Sequence, residues 1–243
     1  MYNLIHDTNQ IKMFVNLLED PTSDESYVLS LSARKKYLTK EEQELYKMKG
    51  KEMFLRQICN MKDEYLKQVR RYCCMEGSST TRAGEDLPSH SLIIFANINP
   101  SSYKHAFVKF QTKMLEYLVE GNDQKIKSLT TTFNTEIQRT RSRKIWIDVD
   151  FDIDKNNIGS LQAVIIKLKS QGVEYHVIET KGGFHLMMRR ETVKFNYPEL
   201  IAFFHKLEST QNSKYEVIIN KNDTVPLPGT YQEGFPVIFR EDL

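Results

Sequence analysis

The chain has 243 residues, 40% of them hydrophobic and 11% aromatic, which is ample for a packed core and excludes a largely disordered chain. Thirty-four Lys and Arg stand against 32 Asp and Glu, a formal net charge of +2, so the bulk electrostatics of a nucleic-acid coat protein are excluded and any polyanion site must be local. There is no apolar run of about 18 residues, and the opening MYNLIHDTNQ lacks the basic and apolar regions of a signal peptide, so the expectation is a cytoplasmic protein without a membrane partner.

In chain order, apolar residues at three-to-four spacing predict helices over Ile11–Leu18 and Glu52–Tyr72, with a short strand at Tyr27–Leu31 between them. Cys59, Cys73 and Cys74 form an odd set with two neighbours adjacent, which suits neither a disulfide framework nor a CxxC zinc site; they read as reduced thiols on a helix. GSSTTRAGEDLPSH, residues 77 to 90, has the composition of a surface loop. SLIIFANINP then reads as a buried strand stopped at Asn99-Pro100, and Tyr103–Leu118 as a helix.

From Lys144 the pattern changes to short strands separated by helices: strands at 144–151, 173–179, 184–190 and 215–220, helices at about 158–170 and 198–209. The order βαββαβ is that of a ferredoxin-like or RRM-like unit, in which the first strand lies between the third and the last. Gln171-Gly172 suits a helix C-terminus, and Lys181-Gly182-Gly183 suits a turn between antiparallel strands. The expectation is an α+β protein forming a single domain over 1–243, with a mainly helical, α-rich N-terminal subregion at 1–140 and an RRM-like core at 141–243.

The chemistry concentrates in IWIDVDFDID, residues 145 to 154. Side chains alternate along a strand, so Ile145, Ile147, Val149 and Phe151 share the face that packs on helices, and Asp148, Asp150 and Asp152 share the other, taken as the open face of the sheet. Carboxylates one pleat apart lie roughly 6 to 7 Å from each other and repel unless a cation sits between them. Hard oxygen ligands of this kind suit Mg²⁺ or Mn²⁺, although a D-x-D pair by itself fits a solvated strand face or a calcium loop equally well. Asp154 reads as a turn residue past the strand end.

In KGGFHLMMRR, Phe184, Leu186 and Met188 alternate with His185, Met187 and Arg189, which places His185 and Arg189 on the aspartate face if the strands pair in register. The Gly-Gly turn can bring backbone N–H groups, Lys181 and the imidazole to one phosphate-binding point, against the plainer reading of a structural histidine. Glu216 or Asp223 can supply a further acidic ligand. In VPLPGTYQEGFPV, Gly229-Thr230 can approach a ligand closely or form a purely structural turn.

Taken in order, IWIDVD, TKGGFH and VPLPGTYQEG resemble the three signature regions of the archaeo-eukaryotic primase superfamily, the primase-polymerases. The resemblance implies Asp148 and Asp150 as metal-binding aspartates and His185 as the histidine that contacts the incoming nucleotide's phosphates, with Lys181, Gly183, Arg189 and Thr230 around the nucleotide. It implies template-directed nucleotide addition in DNA replication with two Mg²⁺ or Mn²⁺ ions, a single-stranded DNA template and nucleoside triphosphates. FANINPSSYKHA at 95–106 and SLSARKKYL at 30–38 are similar to upstream segments of phage and mobile-element members. No helicase is expected within the chain, so an unwinding partner would be a separate protein.

Two positions depart from the family pattern. Asn220 stands where an acidic residue ends the last strand, which moves the third ligand to Asp223, to Glu216 or, by compensation, to Asp152. Val225 stands where an arginine often precedes the turn. These departures leave open a nucleic-acid-binding accessory module that catalyses poorly. The basic runs RTRSRK at 139–144 and SARKKY at 32–37 can track a template backbone or simply be solvated surface.

Overall fold

A computed structural model describes residues 2–48, 50–74, 86–155, 158–193, 198–199, 202–203, 216–219 and 223–243. The described residues are α+β, with two five-stranded antiparallel sheets and a two-stranded ribbon. Its elements in order are α1 (Thr8–Leu17), β1 (Glu25–Arg34), α2 (Lys40–Tyr46), β2 (Lys51–Cys59), α3 (Glu64–Cys74), β3 (Leu92–Asn97), β4 (Ser101–Ser102), α4 (Tyr103–Val119), α5 (Asp123–Ile126) and α6 (Leu129–Arg139). There follow β5 (Trp146–Asp152), α7 (Gly159–Ser170), β6 (Tyr175–Glu179), β7 (Phe184–Arg189), α8 (Arg190–Val193), β8 (Glu216–Ile219), β9 (Thr224–Pro226), β10 (Tyr231–Gln232), β11 (Phe235–Pro236) and β12 (Ile238–Phe239).

The helix starts have local causes. Asp7 caps α1 by accepting from the Asn9 amide at 2.7 Å, and Thr39 with Glu42 forms a reciprocal capping box on α2. Ser102 caps α4 through the His105 amide.

The C-terminal sheet runs β12-β6-β7-β5-β8. Within it β5 lies between β7 and β8, the strand order expected for βαββαβ, and β12 extends the edge beside β6. The expected helix at 198–209 lies mostly outside the described residues; 198–199 and 202–203 are helical. One face of this sheet packs on α7, with Ile147, Val149, Phe151, Leu186 and Met188 against Leu161, Val164 and Leu168. Ile145, expected on that face, joins the other core instead.

The N-terminal subregion is less helical than its periodicity predicts. It holds a second sheet, β2-β1-β3-β9, whose central strand β1 is ten residues long. The expected helix Glu52–Tyr72 is a strand through Cys59 and a helix only from Glu64: β1 needs a partner along its outer edge, and tertiary pairing overrides a periodicity that fits both readings. Cys59 therefore sits on a strand, buried, with its thiol pushed up to about 12 by burial. The main core gathers Phe14, Tyr27, Leu29, Leu31 and Tyr65, and the hydroxyl of Tyr72 donates to the Leu29 carbonyl at 3.0 Å. The expected loop at 77–90 lies outside the described residues up to 85.

After β8 the chain crosses into the N-terminal sheet, where β9 pairs with β3, and then returns so that β12 pairs with β6. Trp146, Met187, Ile178 and Phe239 of the C-terminal sheet share one continuous core with Ile11, Phe14 and Leu29. Each such side chain, fully buried, contributes roughly 1.5 to 3 kcal/mol, which couples the two sheets into one unit. Among the described residues no helix is long and apolar enough to cross a membrane.

Candidate active site

The position of β5 is set by its entry into the sheet. Asn99, buried in the turn after β3, accepts from the amides of Ile145 and Trp146 at 2.7 Å each through Oδ1 and donates from Nδ2 to the Trp146 carbonyl at 2.9 Å. One side chain thus satisfies three backbone groups at the start of β5. The segment FANINPSS is in this way a bracket for the strand that carries the aspartates.

Across the β5–β7 ladder Asp148 faces Met187, Asp150 faces His185 and Trp146 faces Arg189. The expected common face is therefore present, but it is not an open face. Trp146 and Asp148 are fully buried beneath the N-terminal subregion, whose core continues over them, and exposure begins only at Asp150, whose side chain is 45% exposed. The N-terminal sheet has its own apolar face to bury, and this half of the C-terminal sheet is what it buries it against.

His185 is buried and turns Nδ1 to Asp148, 3.0 Å from Oδ2 and 3.2 Å from Oδ1, while Nε2 lies 3.7 Å from Asp150. Burial works against a charged imidazole, but the Asp148 and Asp150 carboxylates outweigh it and raise the ring to about 8. At neutral pH it is mainly a cation seated between two acids. Asp150 is shifted upward by burial; His185 and Lys36 oppose that shift, whereas Asp148 and Asp152 add to it.

The β6–β7 turn closes directly over the end of β5. The Thr180 amide donates to the Gly183 carbonyl at 2.9 Å, and Gly183 has φ 154°. A Cβ at Gly183 would collide with the Phe151 carbonyl, and one at Gly182 would stand 3.6 Å from Asp152 Oδ1. Only glycine permits the turn to approach β5 so closely, and that approach holds the turn next to the acidic row.

Other expected site residues have partners of their own. Arg189 donates to Glu19 at 2.8 Å and lies over the Trp146 ring, so it joins the subregions at the far end of β7 from His185. Lys181 is ion-paired with Glu233. Thr230 is fully buried, and its hydroxyl donates to the Leu227 carbonyl at 2.7 Å. The space beside Gly229 is taken by Asp7 and Ile11: the amides of His6 and Asp7 donate to the Gly229 carbonyl, so this turn anchors the N-terminus rather than a ligand.

Asp223 is buried and ion-paired with Arg141 and Lys144. Burial raises its carboxyl, and the two cations oppose that shift. Among the described residues no three His, Cys, Asp or Glu side chains form a metal-binding group. The register sets Glu216 opposite Asp152, while Asn220 lies outside the described residues.

Three of the four basic residues at 139–144 are likewise used internally. Arg141 and Lys144 hold Asp223, and Arg143 binds Glu25 and Glu19. The other run, at 32–37, reaches the site: the charge of Lys36 acts on Asp150, and Tyr37 beside it accepts from Gln232 at 2.6 Å. Lys36 is the residue that a reading strand by strand does not assign to the site, because its approach depends on how the two sheets meet.

No family model, no curated protein and no solved structure matches the chain.

Proposed function

We propose that the chain is a primase-polymerase-type nucleotidyltransferase, adding nucleotides under the direction of a single-stranded DNA template. The observation that carries this reading is the juxtaposition of the Asp148–Asp150 pair on the central strand with His185 on the next strand, beside a glycine turn that closes over the strand end. A central acidic pair with a neighbouring cationic donor suits a substrate that brings both divalent cations and phosphates.

Asp148 and Asp150 fit Mg²⁺ or Mn²⁺: they are hard oxygen donors on one face, and burial shifts the Asp150 carboxyl upward, with Asp148 and Asp152 adding to that shift. Asp223 is held by Arg141 and Lys144, which an ion at that position would have to displace. Bound at Asp148 and Asp150, such ions supply charge neutralisation of the triphosphate and activation of a hydroxyl. The chain's own part is positional. Asp148 orients the imidazole of His185 through Nδ1, so that Nε2–H is the donor left to a phosphate oxygen near Asp150, and Lys36 adds positive charge on the same side. In the reaction a 3′-hydroxyl attacks the α-phosphorus, its proton passes to solvent water, the bond to the β-phosphate oxygen breaks and pyrophosphate leaves.

The test is incubation with single-stranded template, labelled nucleoside triphosphates and Mn²⁺, with and without a primer. Template-dependent product is expected, and Asp148→Ala/Asp150→Ala should abolish it; wild-type protein no better than that variant would overturn the reading. The engagement of Asp223 by two cations favours one alternative, a primase-like module that binds single strands without turnover. Strand binding unaffected by a chelator, together with no extension, would select it.

A further inference from the structure

Of the large apolar side chains exposed among the described residues, five lie on α4: Phe107, Val108, Leu115, Leu118 and Val119, from 50% to 89% exposed. The opposite side of this helix is committed to the protein: Ala106 is buried against Val28 and Ile137, Phe110 meets Phe133, and Lys113 binds Glu136 of α6 at 2.5 Å. The five therefore form an outward stripe, with Gln111 the polar position inside it.

We infer that this stripe is a homodimer interface in which α4 of one copy packs antiparallel on α4 of a second copy about a two-fold axis. Two observations choose a second copy as the occupant. First, the stripe is self-complementary about position 113: reversing the helix sets Phe107 against Val119, Val108 against Leu118 and Gln111 against Leu115, which is what an isologous contact requires. Second, the five side chains expose about 500 Å² per copy, so pairing that covers them completely buries about 1,000 Å² in total, the lower bound for a specific interface. Val108, Gln111, Leu115 and Leu118 follow the alternating three-and-four spacing of a coiled-coil seam, so knobs-into-holes packing is geometrically open to them.

The full chain should sediment as a dimer at about 100 µM. Leu115→Glu and Val108→Glu, both at exposed positions, should each give a monomer with an unchanged far-ultraviolet circular dichroism spectrum. Under mild oxidation, a mixture of the Gln111→Cys and Leu115→Cys variants should form more covalent dimer than either variant alone. A monomeric wild type, a dimer that survives both glutamate substitutions, or cross-linking no greater in the mixture would each overturn the inference.

Discussion

Asp150 and His185 stand directly opposite each other across the β5–β7 ladder, yet the imidazole turns Nδ1 to Asp148, one pleat away, at 3.0 Å and leaves Nε2 3.7 Å from Asp150. The deeper acid holds the ring and the shallower one shares its outer nitrogen with the site. This division of labour makes the two aspartates unequal and testable separately.

Replacing Asp148 by Asn keeps the shape and removes the charge nearest the ring. Burial is then opposed mainly by Asp150, so the proton affinity of His185 should fall below its value of about 8. Histidine ring signals followed by NMR through a pH titration of metal-free protein would show it. A ring still titrating near 8 in Asp148→Asn would mean that Asp148 is not its main partner.

The same pair makes stability depend on pH. His185 is raised in the folded state to about 8 from an ordinary 6.5, so its stabilising contribution is complete below about pH 6.5 and is lost as pH rises through about 8. The size is about 2 kcal/mol for a shift of this order. Urea unfolding in the presence of a chelator should show the advantage of wild type over His185→Gln shrinking across that interval; an advantage that grows with pH would contradict the assignment.

Asn99→Ala strips three backbone groups at the start of β5 of their partners, two donors and one acceptor, all buried. A loss of about 3 kcal/mol is expected in urea unfolding, together with weakened activity because β5 carries the aspartates. A loss below about 1 kcal/mol would show that β5 is held by its ladders alone.

The two glycines of the β6–β7 turn should respond differently. Gly183→Ala forces a Cβ onto the Phe151 carbonyl at a backbone angle that side chains rarely adopt and should cost at least about 2 kcal/mol. Gly182→Ala meets Asp152 only at ordinary contact distance and should cost clearly less. Equal thermal shifts for the two variants would remove the argument for close approach.

Divalent ions provide a check on the donor set that does not depend on turnover. Mn²⁺ should raise the melting temperature of the wild type, since binding to the folded state alone stabilises it, and Asp150→Asn should lose most of that rise. Retention of the full shift would place the ion elsewhere.

Much of the β5–β7 core was legible in the sequence because alternation is a local property. The period-two pattern of residues 146–152 and 184–189 already places three aspartates and His185 on one face, and the glycine pair marks the turn between β6 and β7. The N-terminal sheet was less legible. The stretch from Glu52 fits helical spacing, and only its pairing with β1 makes it a strand through Cys59.

By itself, then, the sequence determined which residue types share a strand face and in what order the strands follow, because both depend on backbone geometry over a few residues. The tertiary structure alone decided that the acidic face is half covered, that Arg141 and Lys144 hold Asp223, that Gly229 and Thr230 serve the N-terminus, and that the charge of Lys36 acts on Asp150. Each of those outcomes joins residues far apart in the chain, and they meet only because two sheets bury their apolar faces against each other.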